Sequence, residues 1–200
     1  MNLNNSVEFN KRDVYFAADV ENRSIMELIK SINNIKETDL QIKHNLSDQF
    51  NNLKYNEKDI TIHLMTYGGT VYPGFAGYDI ISSINATVIC YGPIMSAGIL
   101  MMLGGKKRMC YPNTRFMIHD CANIAFGKST EIKETLDEME YFNKNLIDII
   151  CNNTKITKDM LNYYIEKKKD WYIDAKTALD FGLVHSIIGE NPIYKSPKDF

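Results

Sequence analysis

Cysteine is scarce and scattered in this 200-residue chain: Cys90, Cys110, Cys121 and Cys151 form no CxxC pair and have no histidine at metal-ligand spacing. Neither a metal site nor a disulfide framework is expected, and a reducing compartment, the cytoplasm or an organellar stroma or matrix, is the default. Charge of neither sign dominates, because 23 Lys and Arg stand against 25 Asp and Glu for a formal net charge of −2. Without a basic excess to neutralise phosphates, nucleic-acid binding has no support. The EKKKD run from Glu166 to Asp170 reads as a solvated helix end. No apolar run approaches the roughly 18 residues of a membrane span, and the opening MNLNNSVEFNKRD lacks the apolar heart of a secretory leader, so neither a membrane nor export is expected. GxSxG and P-loop patterns are also missing.

With 44% hydrophobic and 24% charged residues the chain has the make-up of one globular domain, residues 1–200, large enough to bury a core. Asp13 to Val20 reads as a first strand. Ser24 and Glu27 form a capping box ahead of Ile25, Leu28, Ile29 and Ile32, which share one helical face. The Asn- and Lys-rich stretch from about 33 to 58 reads as a helix extension plus a surface loop. Ile60, Ile62 and Leu64 alternate as a strand that stops at Gly68-Gly69, and a helix is expected over Gly74 to Ile84. A short strand, Thr87 to Tyr91, leads to a buried helix that starts at Ser96 and ends at Gly104-Gly105. Two strands flank the Pro112-Asn113 turn. A long amphipathic helix follows, capped by Ser129 or Thr130, with Ile132, Leu136, Met139, Leu146 and Ile150 on one face. At roughly 30 Å it would project from so small a domain and need a partner surface. Thr157 opens another helix, and a capped helix ended by Gly182 precedes a last strand, Leu183 to Ile188. Strands alternating with helices make an α/β fold.

Ser96 lies amid Ile94, Met95, Ala97 and Ile99, where a buried hydroxyl costs free energy unless it is bonded. It either caps the following helix, the commoner role, or reacts. A reacting serine needs a base, and His119, at the end of the apolar strand RFMIH, is the best candidate. An isolated strand-end histidine is more often a surface or hydrogen-bonded residue, a description that fits His63, and His44 and His185 have no motif around them.

Four stretches in order carry a more specific signal: TYGGTVYPGFAGYDII, GPIMSAG, PNTRFMIHD and KDWYIDAKTALDFGLV. Together, from about Val14 to Ile188, they resemble the ClpP family of serine peptidases, the proteolytic subunit of the ATP-dependent Clp protease. The resemblance implies a crotonase-like (ClpP) fold of stacked ββα units, with the helix at about 129–152 as a handle joining two heptameric rings of this chain into a tetradecamer. Carried over residue by residue, it makes Ser96 the nucleophile, His119 the general base, Asp170 the orienting carboxylate, and the Gly69 and Ala97 N–H groups an oxyanion hole. No metal or cofactor is implied. ATP would be used by a partner AAA+ unfoldase that feeds unfolded polypeptides, while small peptides enter freely. Asp120 is the rival carboxylate, but in an extended chain it would point away from the face that His119 uses.

The sequence also departs from the family. DCANIAFG replaces the usual Pro-x-Gly-Gly-like stretch after the histidine, Lys169 stands where an arginine is usual, the segment before the first strand is short, and the stretch at about 33–58 is an insertion. Frequent Asn, Lys and Ile fit an AT-rich coding source, viral or organellar. Two other functions share the resemblance: a ring subunit without activity, and a crotonase-type acyl-CoA hydratase or isomerase, which also holds an oxyanion with paired N–H groups.

Overall fold

In a computed structural model of the chain, residues 12–49, 57–120, 128–167 and 169–189 are described. Strand β3 (Ala86–Met95) organises them because it changes partner part-way. Thr87 to Cys90 pair in parallel with β4 (Lys107–Cys110), whereas Pro93 to Met95 pair in parallel with β5 (Arg115–Ile118). Gly92 sits between the halves at φ +52, a left-handed conformation that costs glycine nothing, and Pro93 follows. The expected strand ends at Tyr91; the observed one runs on to Met95, to the doorstep of Ser96.

The other strands extend this frame into one seven-stranded sheet. β1 (Asp13–Ala17) and β2 (Ile60–Thr66) precede β3 in parallel, β7 (Ser186–Ile187) follows β4, and β6 (Trp171–Asp174) runs antiparallel to β5. Period-two alternation decides the faces. Val14, Phe16, Ile60, Ile62, Leu64, Val88, Cys90 and Ile94 are buried, while Tyr15 on the other face is 75% exposed. On the buried side lie α1 (Asn22–Gln49), α2 (Val71–Ser82) and α3 (Ala97–Leu103). They contribute Ile25, Leu28, Ile32, Ile81 and the buried Ile99 to Leu103 segment to one core. The resulting mixed α/β architecture, a parallel sheet with helices, is that of the expected fold.

The long helix α4 (Ser129–Asn153) spans 25 residues. Its second half beds into the core through Phe142 and Ile150, but Leu136 and Tyr141 before them stay more than half exposed. α5 (Lys158–Glu166) and α6 (Ala175–Asp180) complete the chain, each capped as expected: Thr157 Oγ1 accepts from the Met160 N–H at 3.3 Å and Asp174 Oδ1 from the Thr177 N–H at 2.7 Å. Beneath β4 and β7 the buried Arg108 guanidinium donates to four carbonyls, those of Gly105 (3.2 Å), Asn153 (2.9 Å), Gly182 (3.0 Å) and Leu183 (2.8 Å). One side chain thereby ties the ends of α3, α4 and α6 together.

Several expectations need correction. Ser24 is not the cap of α1, which starts at Asn22; its hydroxyl turns back, donating to the Asp19 carbonyl (2.7 Å) and accepting from the Glu21 N–H (3.1 Å). The expected helix extension after residue 33 is present and reaches Gln49, and residues 50–56 of the expected surface loop lie outside the described ones. The first strand ends at Ala17, α2 starts early, at Val71, and the last strand is only Ser186–Ile187. The cap position of α4 is Lys128, before Ser129 and Thr130, and its N–H donates to Glu131 Oε2 at 3.1 Å. The N-terminal segment before Arg12 and the stretch 121–127, Cys121 included, also lie outside the described residues. Among the described residues no helix is long and apolar enough to cross a membrane.

Candidate active site

Ser96 leaves β3 where His119 leaves β5. The two strands run in parallel with Met95 opposite Met117, and the Ser96 N–H donates to the Met117 carbonyl at 2.9 Å. Both side chains therefore emerge at the same end of neighbouring strands, and His119 Nε2 lies 2.8 Å from Ser96 Oγ. Ser96 occupies the N-cap position of α3, yet its hydroxyl makes no cap hydrogen bond. Its backbone, at φ 52 and ψ −124, is the sole positive-φ non-glycine among the described residues. Such a conformation costs a serine about 1–3 kcal/mol and persists only when its surroundings impose it. Two constraints do so here: the ladder to β5 on one side, and on the other the first turn of α3, where the Ile99 N–H donates to the Ser96 carbonyl at 2.9 Å. The sharp strand-to-helix turn aims the hydroxyl at the imidazole rather than at the helix.

Gly69, preceded by Gly68, lines the same cleft as Ser96 and His119. Val20 bridges the pair from outside: its N–H donates to the Gly68 carbonyl (2.7 Å) and its carbonyl accepts from the Thr70 N–H (2.8 Å). The Gly69 N–H, trans to the Gly68 carbonyl across one peptide bond, points away from Val20, and Gly69 lines the cleft that holds Ser96. No side chain fits there, since a Cβ on Gly69 would sit 2.2 Å from the Val20 carbonyl oxygen. The Ala97 N–H, first in α3, has no carbonyl four residues back within the helix to bond. Among the described residues neither amide makes a hydrogen bond. Two such donors thus border one cleft with the serine and the histidine. Val71, Phe75, Ile99, Leu100 and Leu146 supply its apolar wall.

The carboxylate is placed less completely. In the antiparallel ladder the last pair is Ile118 with Trp171, and His119 and Asp170 are the next residues beyond it on the two strands. Asp170 is nevertheless exposed, and among the described residues its carboxylate makes no hydrogen bond to His119. Asp120 is half-buried and lines the cleft, again without a hydrogen bond to the imidazole. The other histidines with described contacts stand apart. His63, on the open sheet face, contacts Tyr91 Oη (2.7 Å) and Asp13 Oδ1 (3.1 Å) and stacks on Tyr15. His185 Nδ1 accepts from the Arg108 N–H at 3.1 Å.

A strained serine bonded to a histidine beside two such amides is the arrangement of acyl-transfer enzymes. The family model for Clp protease matches residues 16–191. The chain belongs to the Clp protease family. One curated member similar to it is the ATP-dependent Clp protease proteolytic subunit of Deinococcus radiodurans, 33% identical over 138 residues that cover 67% of each chain. Among solved structures a ClpP1 variant from Listeria monocytogenes superimposes with a TM-score of 0.70 at 23% identity, covering 91% of this chain and 94% of its own. At that identity the superposition speaks for the fold. The architecture built around β3 is therefore a Clp protease fold, and the family is one of proteases.

Three elements of the site escape the sequence reading: Val20 as the outer brace of the glycine pair, Leu146 as the contribution of α4 to the cleft, and β6. Trp171 and Ile173 are buried while Tyr172 and Asp174 are not, an alternation visible in WYID but hard to weigh in a run of only four residues.

Proposed function

We propose that the chain is a serine endopeptidase subunit of a ring-shaped, compartmentalised protease. Ser96 Oγ attacks the scissile carbonyl as His119 Nε2 accepts its proton. The carbonyl oxygen gains charge between the Gly69 and Ala97 N–H groups, and His119 then gives the proton to the leaving amine. Water attacks the resulting Ser96 ester by the same route in reverse, releasing the acid and the free serine. Asp170 is the carboxylate that holds the imidazole in the tautomer this proton transfer needs. The single observation that carries the reading is the 2.8 Å contact from His119 Nε2 to a serine strained to φ 52 and engaged in no helix cap.

The exposed apolar residues of α4, Leu136 and Tyr141, support a role for that helix as the surface on which a second ring docks. An AAA+ unfoldase supplying unfolded polypeptides completes the scheme by analogy with the family. One observation favours a second reading, a ring subunit without activity: among the described residues the exposed Asp170 carboxylate makes no hydrogen bond to the imidazole.

One experiment separates the two. A serine-reactive fluorophosphonate is expected to label the wild-type protein at Ser96 and to leave Ser96→Ala unlabelled. Equal labelling of both would remove Ser96 from the mechanism, and absence of labelling and of peptide turnover in the wild type would favour the inactive subunit. Light scattering tests the ring, since a stable monomer is incompatible with an enclosed chamber.

A further inference from the structure

We infer that Thr66 is a positioning residue whose hydroxyl sets the Gly69 oxyanion donor. The inference rests on the peptidase reading above. Thr66 ends β2 and is 3% exposed. Its Oγ1 accepts the Gly68 N–H at 3.0 Å in a buried contact, a local side-chain turn that bends the chain immediately before Gly69. Its methyl group lies against the start of α3: a Cβ on Gly98 would sit 2.5 Å from Thr66 Cγ2. Gly98 follows Ala97 directly. One side chain therefore touches both halves of the proposed hole, the hydroxyl on the loop that carries Gly69 and the methyl on the helix start that carries Ala97.

The loop has no slack to absorb an error. A Cβ on Gly68 would lie 2.7 Å from both the Met95 carbonyl oxygen and Ser96 Cβ, so the bend that Thr66 imposes runs against the nucleophile itself. Oxyanion stabilisation requires donors about 2.7–3.1 Å from the charge that develops, and it is expressed in the transition state rather than in substrate binding. A residue that tunes this distance should alter kcat and leave KM alone. One that merely fills the core should alter neither selectively.

Thr66→Val keeps the shape and the methyl contact but removes the acceptor; Thr66→Ser keeps the acceptor and removes the methyl. With a fluorogenic peptide and wild-type protein that turns over, Thr66→Val is expected to lose about 10- to 100-fold in kcat with KM within about twofold, part of the full loss of one donor. The inhibition constant of a peptide boronate, whose tetrahedral adduct occupies the hole, is expected to rise by the same factor. Thr66→Ser is expected to stay within about threefold of wild type in both, a margin set by the hydroxyl being retained. A Thr66→Val protein with wild-type kcat and boronate affinity overturns the inference. So does a Thr66→Ser protein that loses as much as Thr66→Val, and should the valine variant fail to fold, a Thr66→Ser loss of 10-fold or more in kcat decides alone. Wild-type protein that neither turns over nor takes the boronate sinks the peptidase reading instead, and with it this one.

Discussion

Replacing Gly69 by alanine tests the proposed oxyanion hole at its most constrained point. The added Cβ would meet three backbone atoms of Val20, the carbonyl oxygen at 2.2 Å, the nitrogen at 2.8 Å and the carbonyl carbon at 2.9 Å, so no rotamer change relieves it. The backbone must yield, and the atoms that yield are those of the Val20 bridge, held by hydrogen bonds of 2.7 and 2.8 Å on either side of Gly69. Losing both costs about 2 kcal/mol, and holding alanine near φ +154 adds about 1–3 kcal/mol of strain. Stability should therefore fall by about 3 kcal/mol or more, read as a lower urea midpoint. A displaced Gly69 N–H no longer meets the developing charge, so kcat should fall by about 10²–10³ while KM barely moves. Gly182→Ala is the control: it also starts from positive φ, +73, but a Cβ there meets nothing within 4 Å. That variant should lose about 1–2 kcal/mol of stability and no activity. A folded Gly69→Ala protein that cleaves peptide at the wild-type kcat would refute the placement of the Gly69 amide in the hole.

Asp170→Asn should lower kcat by about 10⁴ through the wrong imidazole tautomer, with Asp120→Asn close to wild type; the opposite ranking in peptide assays would hand the carboxylate's role to Asp120. Arg108→Met strips four carbonyls, two of them in buried contacts, of a charged donor and should destabilise by about 3 kcal/mol in urea titration, and a loss under about 1 kcal/mol would show that the staple contributes little. Burial, and next the Arg108 charge, lower the pKa of His185, whose Nδ1 must stay unprotonated to accept the Arg108 N–H. Its stabilisation is therefore complete above the unfolded value of about 6.5 and drains away as pH falls toward and through the lower folded value. His185→Asn, which can accept the same hydrogen bond without titrating, should flatten that part of the stability profile below pH ~6.5, and an unchanged slope would contradict the linkage.

What the residues alone reveal, and what they conceal, follows from where each side chain's partner lies along the chain. Ser96, His119 and the Gly68-Gly69 pair sit just past the ends of β3, β5 and β2, and strand ends are marked locally by a glycine or a polar residue after an alternating run. The length of α1 is hidden because a distant residue completes its buried stripe. That stripe runs through Ile25, Leu28, Ile32 and Ile35, and the next inward position is Asp39, 3% exposed and paired at 2.5 Å with Arg12, while the apolar Leu40 faces solvent. A buried ion pair in place of an apolar residue breaks the pattern that periodicity detects, and the partner that makes it tolerable lies 27 residues away.

The same logic explains β3 and the carboxylate. Proline normally ends a strand because it donates nothing to the ladder, so the expected strand stops before Pro93. The observed one passes through because the strand changes partner there, from β4 to β5, and that exchange is a property of the whole sheet. Asp170 depends on the sheet still more. Its position beyond the same ladder end as His119 exists only because β6 pairs with β5, and each of these strands has just four residues. The proposed nucleophile and base are legible in short motifs because adjacent parallel strands deliver them, whereas the proposed orienting carboxylate arrives from an antiparallel partner much later in the chain. Among the described residues Asp170 is the one of the three that makes no hydrogen bond to another of them, and the ranking of Asp170→Asn against Asp120→Asn tests the proposed mechanism most directly.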